Sequence, residues 1–246
     1  MSLNPKPNEI KALNIDFNSG NELWLTNGYT LRKLIGILGI ALPLLLWLFL
    51  KVNAGLGTPL ESISHYYFTR AGSIFTIVVS LLAIFLIVYK GPEPIDFYVS
   101  AVAGIFALCV LLFPTTNLAD VCCDSNKRYA VTFIPETELS SLRANFHYIS
   151  AGIFLLCLAF MSLFLFTRSS LPVAMRSRNK RIRNAIFIMC GIIMVAAVLV
   201  IIIGHSFKAI PRDFYNNNHL TFWMETVAVE AFGFSWLVKG ETILKD

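Results

Sequence analysis

Charge is scarce in this chain of 246 residues. Only 14% of them are Asp, Glu, Lys or Arg, against about 25% in an ordinary globular domain. With 56% hydrophobic residues and a mean hydropathy of +0.67, that scarcity excludes a soluble domain and, despite the net charge of +5, a nucleic-acid partner. Other patterns are missing too. No Cys-x-x-Cys pair occurs, which argues against a structural zinc site built from thiolates. No His-x-x-x-His or His-Glu-x-x-His occurs, and no nucleophile or nucleotide motif. No internal repeat or low-complexity tract stands out. The first 30 residues are polar, with neither a short apolar core nor a small-residue cleavage site, so no cleaved signal peptide is expected.

What remains is apolar and long. A bilayer core of about 30 Å needs about 20 apolar residues in a helix. Six stretches qualify, over about 32–50, 71–89, 97–113, 147–166, 184–204 and 220–238. Their length and uniformity predict helices, since every backbone group must be satisfied inside lipid. The expectation is an all-α polytopic membrane protein. A polar segment (1–30) precedes a six-helix transmembrane bundle (31–240), and a short tail (241–246) follows it. Pro43 falls inside the first span and is expected to bend it. Cys109, Cys157 and Cys190 sit in apolar runs as small hydrophobes. Cys122 and Cys123 are adjacent in a polar loop, where a vicinal disulfide, other pairings and free thiols all stay open.

Lys and Arg set the expected orientation. Thirteen of the twenty fall in the N-terminal segment, the second and fourth loops and the C-terminal tail. The positive-inside rule then puts both termini in the cytoplasm. The fourth loop carries Arg168, Arg176, Arg178, Lys180, Arg181 and Arg183 with no acidic residue, a topology signal that also suits anionic lipid headgroups. The bilayer itself is the other expected partner; no cofactor is indicated.

With this topology His65, His147, His205 and His219 gather on the outer side, as do Asp120, Asp124, Asp213 and Arg70, and no comparable set marks the cytoplasmic side. The last span carries Glu225 and Glu230. A charged side chain at bilayer depth costs roughly 2.5–3.5 kcal/mol on insertion scales, so both need partners. They lie about 140° apart around a helix and cannot act as one pair. Glu225 shares a face with Val229, Phe232 and Trp236, about 7–8 Å below the outer end; Glu230 shares one with Trp223, Thr226 and Phe234, near mid-depth. At least one is expected to turn inward and accept a bond from Arg70, a Tyr or a Ser. His65, His147 and Glu225 are the candidates for catalysis or metal binding, because histidine and carboxylate serve both as acid–base groups and as metal ligands. Spans two, four and six would bring them together in an outer-leaflet cavity. Ser64, Arg70 and Glu230 are candidate binding residues.

Pro59-Leu-Glu-Ser-Ile-Ser-His65 resembles the Pro-x-Ile-Ser motif of a group of six-span membrane proteins. That group includes the damage-regulated autophagy modulators (DRAM) and the fibroblast-growth-factor-receptor-activating-gene family. Further pieces are similar to its bacterial branch, a domain of unknown function: Tyr89-Lys-Gly, Ala103-Gly-Ile-Phe-Ala-Leu with Phe113-Pro-Thr, Phe146-His-Tyr-Ile-Ser-Ala-Gly-Ile-Phe, and Phe222-Trp-Met-Glu225 with Phe232-Gly-Phe-Ser-Trp-Leu-Val-Lys-Gly. The eukaryotic pattern has an acidic residue where this chain has His65. The resemblance implies a six-helix bundle in a bacterial plasma membrane and brings no established reaction. Eukaryotic members are associated with lipid-anchor processing, autophagy and scaffolding of lipid kinases. Three functions stay open: a non-enzymatic scaffold or lipid- or stress-responsive factor, an outer-leaflet lipid-modifying or hydrolytic enzyme, and a small proton- or cation-coupled transporter.

Overall fold

The structure is a computed structural model that describes residues 9–10, 15–16, 28–118, 129–169, 172, 175–206 and 209–244, with the main chain only at 9–10, 15–16 and 205–206. Asp120, Asp124, Cys122 and Cys123 lie outside the described residues, as does the His205 side chain. Two short strands, β1 (Glu9–Ile10) and β2 (Ile15–Asp16), pair antiparallel. The elements described after them are helices: α1 (Gly28–Ala54), a 3₁₀ helix (Ile63–Phe68), α2 (Gly72–Val88), α3 (Pro94–Leu112), α4 (Ser140–Phe160), α5 (Arg178–Ile201), α6 (Arg212–Asn217) and α7 (Leu220–Lys239). α4 and α5 each run on into a π-helical turn, Met161–Leu165 and Ile202–Ser206. The chain is all-α. α1, α3, α4 with its π turn, and α5 with its own are long and apolar enough to cross a membrane. α2 is as apolar but shorter, with 17 residues, about 25 Å at 1.5 Å per residue. α7 has the length, but Glu225 and Glu230 dilute its hydropathy.

The six long helices form a closed ring. Each packs on its successor, α1 on α2, α2 on α3, α3 on α4, α4 on α5 and α5 on α7, and α7 returns to α1. The closing seam is tight because it lacks side chains. A Cβ placed on Gly36 would sit 2.7 Å from the Gly233 carbonyl oxygen, and one on Gly233 would sit 2.6 Å from that of Gly36. Small residues let two backbones approach this closely, the usual device where lipid supplies no hydrophobic drive between helices. α1 continues through Pro43 as one helix. Cys190 is buried, and Cys109 and Cys157 are half-buried; all three are free thiols.

The ring has two unlike ends. At one, α1, α3 and α5 begin and α2, α4 and α7 finish, and the basic residues gather there. Arg168 pairs with Glu93 and, at 2.9 Å, with Asp96; Arg183 lies 3.7 Å from Glu241. This basic end thus holds its own buried polar set, a correction to the expectation that only the histidine side would. The fourth loop also differs. From Arg178 its basic run is the first turns of α5, with the Ser177 hydroxyl accepting the Lys180 N–H at 3.0 Å. Inside the ring, next to this end, Trp236 meets Tyr89, Phe166 and Phe232 with centroids 4.9, 5.3 and 5.9 Å apart. Phe187 extends the stack through Phe166. These buried rings fill the bundle axis there. The opposite, histidine end is where the ring opens.

Candidate functional site

The first four N–H groups of a helix have no partner inside it. Two of the first N–H groups of the 3₁₀ helix meet side chains: that of Ile63 meets one from 162 positions away, and that of His65, which also donates to the Ser62 carbonyl, meets the Ser62 hydroxyl. Ser62 is extended (φ −149°, ψ 163°) and caps the helix, its hydroxyl accepting the His65 N–H at 3.3 Å. Ile63 donates its N–H to Glu225 Oε2 at 2.6 Å. Phe222 in turn donates to the Glu61 carbonyl at 3.0 Å. The segment before α2 and the first turns of α7 are therefore stitched to each other. Phe222 also meets Tyr66 at 6.1 Å between centroids. Burial pushes the Tyr66 phenol up to about 12, against the opposing effect of the Leu60 N–H bonded to it, so it remains neutral. The far side of the 3₁₀ helix is held by the chain at 129–132, where Arg70 donates to Tyr129 and Val131 donates to Phe68.

These contacts border a cavity of about 750 Å³ at the histidine end. Its polar lining includes Ser62, His65, His147, Tyr215, His219 and Glu225. Its apolar lining comes from α4 and α5 through Ile149, Ile153, Leu156, Val198, Ile201 and Ile202. His65 and Ser62 share a hydrogen bond of 2.8 Å between Nδ1 and Oγ. His147 Nδ1–H donates to the Phe113 carbonyl at 2.9 Å, which fixes its tautomer and leaves Nε2 as the basic nitrogen. Tyr215 packs where Gly204 has no side chain and bonds Thr221 at 2.9 Å. His219 starts α7 from the left-handed region (φ 49°), and its Nδ1 is buried with no partner among the described residues. A non-glycine residue held at positive φ stores strain, and such strain clusters at ligand sites. Glu225 also borders a second, smaller chamber of about 60 Å³, lined by apolar residues and Ser64.

The sequence candidates therefore divide. His65, His147 and Glu225 line one cavity. Among the described residues, however, no three His, Cys, Asp or Glu side chains are placed to hold one metal ion. A single metal shell from these three is not what the geometry offers. Glu225 does turn inward, but its donor is a backbone N–H rather than Arg70, a Tyr or a Ser. Arg70 is exposed and lines neither cavity. Glu230 is exposed on the outer surface of the ring, beside Trp223, Val227 and Phe234, and lines neither cavity. Sequence reasoning missed Tyr215 and the apolar wall of α4 and α5. Tyr215 belongs to a helix of only six residues, and the wall has the composition of any membrane span.

No family model, curated protein or solved structure matches the chain; what the site can do is carried by its own geometry.

Proposed function

We propose that this is a six-span integral membrane protein with both termini in the cytoplasm, and that its outer-leaflet cavity binds an amphiphile. The spans are α1, α2, α3, α4, α5 and α7. The distribution of Lys and Arg supports the orientation, which turns the basic end inward and the histidine end outward. The resemblance to the six-span group and its bacterial branch agrees with this layout and favours a bacterial plasma membrane.

One observation carries the function: a single cavity of about 750 Å³ joins an apolar lining from α4 and α5 to a polar one of histidines, hydroxyls and Glu225. Pockets of about 300–1,000 Å³ with mostly apolar walls and a few placed polar groups suit small ligands. Here the apolar part suits an acyl chain and the polar part its headgroup. A lipid-responsive factor needs no more than this. The axis beyond Glu225 is filled by Trp236 and its neighbours, and Glu230 faces away, so passage of a proton or cation gains no support.

A second function, an acid–base enzyme acting on the same amphiphile, is favoured by His65, His147 and Glu225 sharing that cavity. One experiment separates the two. Gly152 lines the cavity, and a Cβ there would meet nothing within 4 Å. Native mass spectrometry of the detergent-purified protein is expected to show a retained amphiphile, lost in folded Gly152→Phe. Retention by that variant would contradict the binding site. Conversion of the added amphiphile to product, abolished in Glu225→Gln, would move the function to the enzyme.

A further inference from the structure

The basic end carries chemistry that the cavity does not use. Arg32 on α1 meets the end of α7, where a Cβ on Gly240, the residue after Lys239, would sit 3.2 Å from the Arg32 Cβ; Lys180 and Arg183 on α5 add to the positive field that Arg32 sets up at the Lys239 ammonium, and Asp96 opposes it. The nearby carboxylates are already engaged, Glu93 and Asp96 by Arg168 and Glu241 by Arg183. Lys180 and Arg183 have interactions of their own. Arg32 and Lys239 are the two cations on which the site rests. The Arg32 guanidinium leans on the rings of Tyr29 and Tyr89, 5.4 and 5.7 Å from their centroids, while its Nε is buried with no hydrogen-bond partner among the described residues. The Lys239 ammonium stands 5.3 Å from the centroid of Phe166. Both side chains are half-buried, so each remains reachable from the rim.

Like charges gathered at a partly desolvated rim repel one another, and an anion between them relieves that repulsion. Guanidinium and ammonium donors from three helices match an anion with several oxygens, and phosphate is the anion they suit best. The geometry points to a site for a phosphate-bearing anion between Arg32 and Lys239, its potential reinforced by Lys180 and Arg183. Its place at the end of the membrane helices makes an anionic phospholipid headgroup the natural occupant; inorganic phosphate shares the chemistry.

The test measures binding of short-chain phosphatidylglycerol, short-chain phosphatidylcholine and inorganic phosphate to the purified protein. It uses the Gly152→Phe background, so that the cavity at the other end does not contribute. Phosphatidylglycerol is expected to bind at least about tenfold more tightly than phosphatidylcholine, and the Arg32→Gln/Lys239→Gln variant to lose that preference. Arg32→Lys/Lys239→Arg keeps the charges and is expected to keep it. Lys239→Gln alone, the milder change, gives an intermediate affinity should the double variant not fold. Phosphate competing with phosphatidylglycerol supports the site with the lipid as its occupant, and phosphate binding as tightly as the lipid supports it with the free ion instead. Equal affinity for the two lipids, or an unchanged preference in folded Arg32→Gln/Lys239→Gln or Lys239→Gln, overturns it.

Discussion

Glu225 is the residue on which the histidine end depends. Its carboxyl reaches the start of a helix that belongs to another part of the chain and satisfies an N–H that would otherwise be orphaned. Removing the acceptor leaves that N–H buried and unpaired, which costs about 1–3 kcal/mol. Glu225→Ala is therefore expected to lower the midpoint of thermal unfolding in detergent. Glu225→Gln keeps an acceptor oxygen and is expected to lose much less. Equal losses would mean that the bond to Ile63 contributes nothing. Glu230, five positions on, is of another kind. The 100° step between helical residues already separates the two in the sequence, and the structure adds that the Glu225 side is the buried one, with Val229, Phe232 and Trp236. The donor was not legible: a backbone N–H leaves no mark in a sequence, and Arg70 drew attention only because it is charged.

Among the elements, the long apolar helices were legible because lipid tolerates little else, and the predicted spans differ from α1, α2, α3 and α7 by a few residues. The errors lie where charge and helix overlap. α4 begins at Ser140 and α5 at Arg178, each at least six residues before its apolar run. Neither start has a hydrophobic stripe to reveal it, although the Ser177 cap was a readable signal. The 3₁₀ helix and α6 are too short for periodicity, and their positions depend on contacts with α7 and the chain at 129–132. The α1–α7 seam makes a direct prediction. A Gly233→Val side chain would be forced into Gly36 and Ile40, and such overpacking costs about 1–3 kcal/mol or more. Its unfolding midpoint in detergent is expected to fall, or the protein to elute as aggregate. A monodisperse, equally stable Gly233→Val would show that the two helices do not meet as described.

At the scale of the molecule, a ring that is filled at one end and hollow at the other supports the proposal of a ligand taken from one side. The sequence showed both the asymmetry of the histidines and that of Lys and Arg. It did not show the cavity, because a cavity is where side chains from distant elements fail to meet. Orientation is testable by itself. With Cys122 and Cys123 replaced by Ser, a cysteine at exposed Thr58 is expected to react with an impermeant maleimide on intact cells. One at exposed Ser177 is expected to react only after the membrane is opened. The reverse pattern would invert the molecule.

The most direct test of the amphiphile site is photolabelling of the purified protein with a phospholipid carrying a diazirine in its acyl chain, followed by peptide mapping. The label is expected on α4 and α5 around Ile153, Leu156 and Ile201, and to disappear in Gly152→Phe. Label spread evenly over the outer surfaces of the helices, and unchanged in that variant, would contradict a lipid-binding cavity.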